Sequence, residues 1–281
     1  MTTETSDVRA VDENGVWPFV SDVTLAGIPS TYLAQPDRGD APMVLFSNGF
    51  GAPRSEAVLP GIPQNRISPR LVAGMLTAGY RILVPENPGH GERLGDAPSP
   101  FDALARCARG EGADLLRTAM EETPALIDGA VSAGLVGRAE DVVIVGHSWG
   151  GLHAILRLLG DARIRGGVAL IPVIEPTSLP ALAEFGAHSR LADLDLTELT
   201  RQHLAGRPLS LLAGQTDWIA PAALAHRFAV RLRADPDGAG DAVEYEEMSD
   251  AGHGYHAREL DHVMEWLAHV APVDQRAVAD G

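Results

Sequence analysis

The chain has 281 residues, of which 45% are hydrophobic, and a formal net charge of −16. That length suffices for one sizeable α/β core, and an acidic chain without a basic patch excludes nucleic acid as an expected partner. A single cysteine, Cys107, excludes an internal disulfide; with no base beside it, it reads as an inert, buried thiol.

Residues 1–14 read as a loose polar arm, with neither the basic nor the apolar stretch of a secretory leader. Strand-like pieces at 17–24 and 28–34 suggest a hairpin, and 43–46 is a short apolar strand. A loop rich in glycine and proline follows from 48 to 69. Residues 71–78 have helical spacing and stop at Gly79, a natural helix end. Residues 80–84 read as a strand, 85–100 as a long loop and 101–134 as a helix-rich stretch. Strands are expected at 142–145, 168–171, 209–213 and 242–248, and helices at 152–159, 221–234 and 256–268. The stretch 179–204 looks mostly helical, a small cap placed at about 176–207, and 272–281 reads as a frayed tail.

Eight short strands alternating with helices predict one α/β domain over 15–271. Its sheet should be mostly parallel, with helices on both faces. No repeat or linker divides the chain, and nothing in it encodes an oligomeric state. No run of about 18 apolar residues occurs, so no membrane association is expected, and a cytoplasmic setting fits the lone cysteine. In open sheets of this kind the ligand lies beyond the carboxyl ends of the strands, so the loops that follow strands should carry the chemistry.

Gly146-His147-Ser148-Trp149-Gly150-Gly151 lies between an apolar β-branched run and a segment of helical spacing. Strand, G-x-S-x-G, helix is the context of a nucleophile elbow, with Ser148 as nucleophile. Glycine fits at 146 and 150 because so tight a turn leaves no room for side chains. A serine hydroxyl needs a base to take its proton, and the base needs an orienting acid. Asp217, just past the 209–213 strand, is the candidate acid, with Glu175 as rival and Asp250 as a turn residue. His253, between two glycines after the last strand, is the candidate base. His256 reads as a surface or helix-start residue, and His147 and His153 as packing or solvent-facing ones. Oxyanion donors are expected from the backbone N–H of Trp149 and, in the loop Ser47-Asn48-Gly49-Phe50-Gly51, from that of Phe50. Charges in the loop His90-Gly91-Glu92-Arg93 are expected to brace it through Arg93.

Ser148, Asp217 and His253 in this order, with the loop at 48–51, resemble the α/β-hydrolase superfamily over about 17–270. The loops at 49–50 and 90–93 and the short cap also resemble small bacterial carboxylesterases akin to dienelactone hydrolases, and the catalytic domains of prolyl-oligopeptidase-type peptidases. The chain departs from the pattern at Asn48, where His-Gly is usual, and at Trp149, which is bulkier than the common residue. The resemblance implies an α/β-hydrolase fold and hydrolysis of a carboxylic ester, or a related thioester or lactone, through an acyl-serine. No metal or organic cofactor would be needed. It leaves open a biosynthetic thioesterase, a peptidase or a C–C bond hydrolase on the same residues, or a ligand-binding protein on the same scaffold. The aromatic residues next to the site, Phe50, Trp149, Trp218 and Tyr255, suggest a pocket for a small substrate with an apolar or aromatic acyl group.

Overall fold

The computed structural model describes residues 19–35, 41–58, 67–179, 182, 196–234 and 242–273. The expected arm at 1–14, residues 274–281 of the expected tail and most of the expected cap lie outside these. Within the cap, a 3-10 turn at Pro176–Ser178 and a helix at Leu196–His203 are described.

Eight strands form one sheet among the described residues: β1 (Phe19–Leu25), β2 (Ile28–Ala34), β3 (Met43–Ser47), β4 (Arg81–Pro85), β5 (Val142–His147), β6 (Gly167–Leu170), β7 (Leu209–Gly214) and β8 (Val243–Met248). Their spatial order is β1-β2-β4-β3-β5-β6-β7-β8. β1 and β2 form the expected hairpin and join β4 antiparallel; every other pairing is parallel. The helices are α1 (Ser68–Thr77), α2 (Pro100–Arg109), α3 (Leu115–Glu121), α4 (Thr123–Ser132), α5 (Trp149–Gly160), α6 (Leu196–His203), α7 (Ala222–Arg233) and α8 (Ala257–Val270). None of them is long and apolar enough to cross a membrane.

The central strands are apolar at successive positions because both faces of the sheet are covered. Side chains alternate sides along a strand. Met43 and Leu45 of β3, with Val142 and Ile144 of β5, therefore join the core beneath α2–α7. Val44 and Phe46, with Val143 and Val145, join the core beneath α1 and α8. α5 is buried on all sides, with Leu152, Ile155, Leu156 and Leu158 fully covered. Truncating one such leucine to alanine costs about 2–5 kcal/mol.

The helix-rich stretch at 101–134 is three helices, for local reasons. α2 starts at the Ser99 cap, whose side chain accepts the Asp102 N–H, and ends at Gly110 in the left-handed region (φ 72°). There the Gly110 and Glu111 N–H groups donate to the Cys107 and Arg106 carbonyls, a Schellman closure. Asp114 then caps α3, and Pro124 in the first turn of α4 separates it from α3. Cys107 is buried on α2.

The register brings Ser47 of β3 beside Gly146 of β5, and His147 beside Leu170 of β6. The carboxyl ends of β3, β5, β7 and β8 thus open onto one edge of the sheet, where the loops at 48–53, 148, 215–221 and 249–256 meet.

Candidate active site

The turn after β5 holds Ser148 at φ 59°, ψ −119°, a strained conformation for a residue with a side chain, costing about 1–3 kcal/mol. Its surroundings enforce it. A Cβ on Gly146 would overlap the Gly150 carbonyl, and one on Gly150 would overlap the carbonyls of Ser47 and Asn48. The Ser148 N–H donates to the Leu170 carbonyl (2.8 Å), and the Ser148 carbonyl accepts from Gly151 and Val173. The backbone is therefore pinned on both sides, and the hydroxyl faces the cavity.

The structure brings together three side chains that lie on three loops. Ser148 Oγ is 2.8 Å from His253 Nε2, and His253 Nδ1 is 2.7 Å from Asp217 Oδ2. The other oxygen of Asp217, Oδ1, accepts the backbone N–H groups of Ile219 (2.8 Å) and Ala220 (2.9 Å). Burial pushes the Asp217 pKa up, but the hydrogen bonds from His253 and these amides outweigh it and hold the carboxyl below the ordinary aspartate value. With Asp217 ionised, His253 carries its proton on Nδ1 and leaves Nε2 free to accept from the Ser148 hydroxyl.

The loops that carry Asp217 and His253 are stitched to each other. The N–H and hydroxyl of Thr216 both donate to the Ala251 carbonyl (2.9 and 3.0 Å), and Gln215 N–H donates to Met248. A side chain at 214 would collide with the Ala251 carbonyl, so Gly214 permits this close approach. Of the rival residues, Asp250 is an exposed turn residue at φ 60°, and His256 is the N-cap of α8. Glu175 follows β6; the carboxylate on His253 is that of Asp217.

The loop after β3 folds over the nucleophile. Asn48 Nδ2 donates to the Pro53 carbonyl (2.9 Å), and the Asn48 carbonyl accepts from Asn87 Nδ2 (3.1 Å), tying it to the loop after β4. Among the described residues, the backbone N–H groups of Phe50 and Trp149 have no acceptor. Arg93 donates to both carboxylate oxygens of Glu122 (3.0 and 2.7 Å) and to the Glu86 carbonyl (3.0 Å), the bracing expected of it.

A cavity of about 500 Å3 opens above Ser148 and His253. Its wall is largely apolar: Phe50, Phe101, Leu104, Trp149, Val173 and Trp218 are among its residues. Phe50 is the hub, meeting Phe101 (4.8 Å between ring centres), His90 (5.3 Å) and Trp149 (5.6 Å) edge to face. Trp149 is 1% exposed and belongs to the core, whereas Trp218 is 71% exposed at the rim. The expected place of Tyr255 in this wall is corrected. Tyr255 is not among the residues that line it; its ring lies beneath the Arg70 guanidinium, which is 5.0 Å from the ring centre. Phe101 lines the cavity although nothing in the residues near the motifs marks it.

Two further buried groups adjoin the site: His147, which the sequence marked only as a packing or solvent-facing residue, and Glu259, which it did not mark. His147, directly before Ser148, is 4% exposed, and burial together with the neighbouring His253 pushes its pKa down to about 3. Glu259 on α8 is fully buried, and burial raises its carboxyl to about 8. The signal available for Glu259 was the spacing His256-x-x-Glu259 at a helix start.

A family model described as the alpha/beta hydrolase family matches residues 44–279. No curated protein matches the chain. Among solved structures, it resembles TT1662 from Thermus thermophilus at 22% identity and a TM-score of 0.61, over 93% of this chain and 100% of that one. It resembles a cold-adapted esterase from an Arctic intertidal metagenomic library at 15% identity and a TM-score of 0.66, over 96% and 100%. It resembles the Pyrococcus horikoshii acylaminoacyl peptidase at 15% identity and a TM-score of 0.64, over 92% of this chain but only 42% of that longer one. At such identities the structural likeness is one of fold. The family match covers most of the sequence, and the chain belongs to the alpha/beta hydrolase family.

Proposed function

We propose that this hydrolase cleaves carboxylic esters through an acyl-serine intermediate on Ser148, with His253 as general base and Asp217 as its orienting acid. The observation that carries the reading is the 2.8 Å contact between Ser148 Oγ and His253 Nε2. As Ser148 attacks the ester carbonyl, His253 takes the hydroxyl proton at Nε2. Asp217 holds the imidazolium that forms, and His253 returns the proton to the leaving alkoxide. In the second half His253 takes a proton from water as the water oxygen attacks the acyl-serine, and gives that proton to Ser148 Oγ as the acyl–oxygen bond breaks and the acid leaves.

The N–H groups of Phe50 and Trp149, without an acceptor among the described residues, fit the role of donors to the tetrahedral oxyanion. A donor of this kind contributes about 3 kcal/mol to the transition state. The apolar wall around Phe50, Phe101 and Trp149 supports a small substrate with an apolar or aromatic acyl group.

Intact mass after treatment with a fluorophosphonate, on the wild type and Ser148→Ala, tests this. One adduct on the wild type and none on the variant is the expected result. An unlabelled but folded wild type, or equal labelling of both proteins, overturns the reading.

A further inference from the structure

The Glu259 carboxyl spans two parts of the site. Its Oε1 accepts the backbone N–H of His256 (3.0 Å), three residues beyond His253, in a capping box that starts α8. Its Oε2 faces His147 Nε2 at 3.5 Å, and His147 adjoins Ser148. Both atoms are buried, and among the described residues neither has a hydrogen-bond partner, so each is the nearest complement the other has. The His147 ring in turn lies 5.9 Å from the His253 ring, centre to centre.

We propose that Glu259 is a positioning residue whose carboxyl bridges the loop carrying His253 to His147, and thereby holds the Ser148–His253 contact in register. This rests on the reading of Ser148 and His253 as the reacting pair. A carboxylate facing an imidazole lone pair at this distance would be repelled, so the bridge needs one proton between the two atoms. The surroundings supply the reason for that proton to stay on the carboxyl. Burial raises Glu259 to about 8 and lowers His147 to about 3, which favours a proton on the carboxyl over one added to the ring. Asp217, ionised on the loop after β7, adds to the cost of a second carboxylate here.

The other charged groups around α8 are engaged elsewhere. Arg70 of α1 lies over Tyr255, His262 contacts Ser210 and Glu246, and Arg258 pairs with Glu246 and Glu265. His256 Nδ1 accepts the Arg258 N–H.

The test uses the full chain, a short-chain p-nitrophenyl ester, the fluorophosphonate, and the variants Glu259→Gln and Glu259→Ala. Glutamine keeps an acceptor for His256 and a donor for His147 without an ionisable proton. It should keep kcat within about threefold of the wild type at pH 7 and remove an inflection near pH 8 from the rate profile. Alanine should lower kcat and the labelling rate about 30-fold while leaving KM within twofold, the signature of a misplaced base. An alanine variant that folds and keeps wild-type kcat overturns the proposal. If the alanine variant does not fold, the glutamine variant decides: a pH profile superimposable on the wild type overturns it. An unlabelled, inactive wild type is a failure of the ester-hydrolase reading. The bridge is then judged by Tm alone, which should fall as pH rises from the ordinary glutamate value to about 8 in the wild type and not in Glu259→Gln; matching slopes overturn it.

Discussion

Asp217 and Glu259 are both buried carboxyls near His253, yet they are held in opposite states. Asp217 accepts three hydrogen bonds, from His253 and from the amides of Ile219 and Ala220, and lies below its ordinary pKa. Glu259 accepts one backbone hydrogen bond, has its other oxygen 3.5 Å from His147 Nε2, and rises to about 8. Both are buried, one 5% and the other 0% exposed. Desolvation raises both carboxyls, and at Asp217 the donors that reach it outweigh that cost. Asp217 occupies a turn whose N–H groups point inward, whereas Glu259 sits in the first turn of a helix and reaches toward a ring nitrogen.

The comparison breaks most visibly if the Asp217 charge is removed. Asp217→Asn keeps the shape but lets His253 settle in the wrong tautomer, so kcat should fall about 10^4-fold in steady-state assays. A fall below tenfold would place the two carboxyls on an equal, supporting footing.

The next effect is on stability and has opposite signs at the two sites. Glu259 is raised in the fold, so the folded state holds a proton that the unfolded chain releases. Stability is therefore lost as pH rises from the ordinary glutamate value to about 8. Glu259→Gln should raise Tm at pH 9 by about 5 °C, corresponding to about 2 kcal/mol, and have little effect near pH 5. Asp217 is lowered, so its contribution is complete above the ordinary aspartate value and disappears as pH falls through the folded one. Acid unfolding followed by circular dichroism should show a steeper loss below about pH 4 in the wild type than in Asp217→Asn.

The smallest effect isolates the pocket from both carboxyls. Trp218 follows Asp217 in sequence but stands 71% exposed at the cavity rim. Trp218→Ala should leave Tm unchanged and raise KM for an aromatic ester roughly threefold. A loss in kcat instead would mean that the rim and the Asp217 turn are coupled.

Much of this site was legible in the sequence because its parts obey local rules. Glycine at 146 and 150 announces a turn too tight for a side chain, and Ser148 between them sits where a strand passes into a helix. Asp217 and His253 follow the ends of apolar strands, which is where open parallel sheets place their chemistry. The helix-rich stretch at 101–134 was legible only as a whole, because its division depends on caps and a proline of a few residues each. Tyr255 was misplaced because adjacency to His253 in sequence does not say which distant side chain its ring meets, here that of Arg70.

By itself, then, the sequence determined the order of strands and helices, the strained turn at Ser148 and the identities of the three side chains that meet there. These depend on backbone conformation and hydrophobic period, which are properties of neighbouring residues. Only the tertiary structure decided the burial of Glu259, its approach to His147, and the selection of Phe101 rather than Tyr255 for the cavity wall. Those depend on desolvation and on which distant segments lie against one another, and neither is written in any window of adjacent residues.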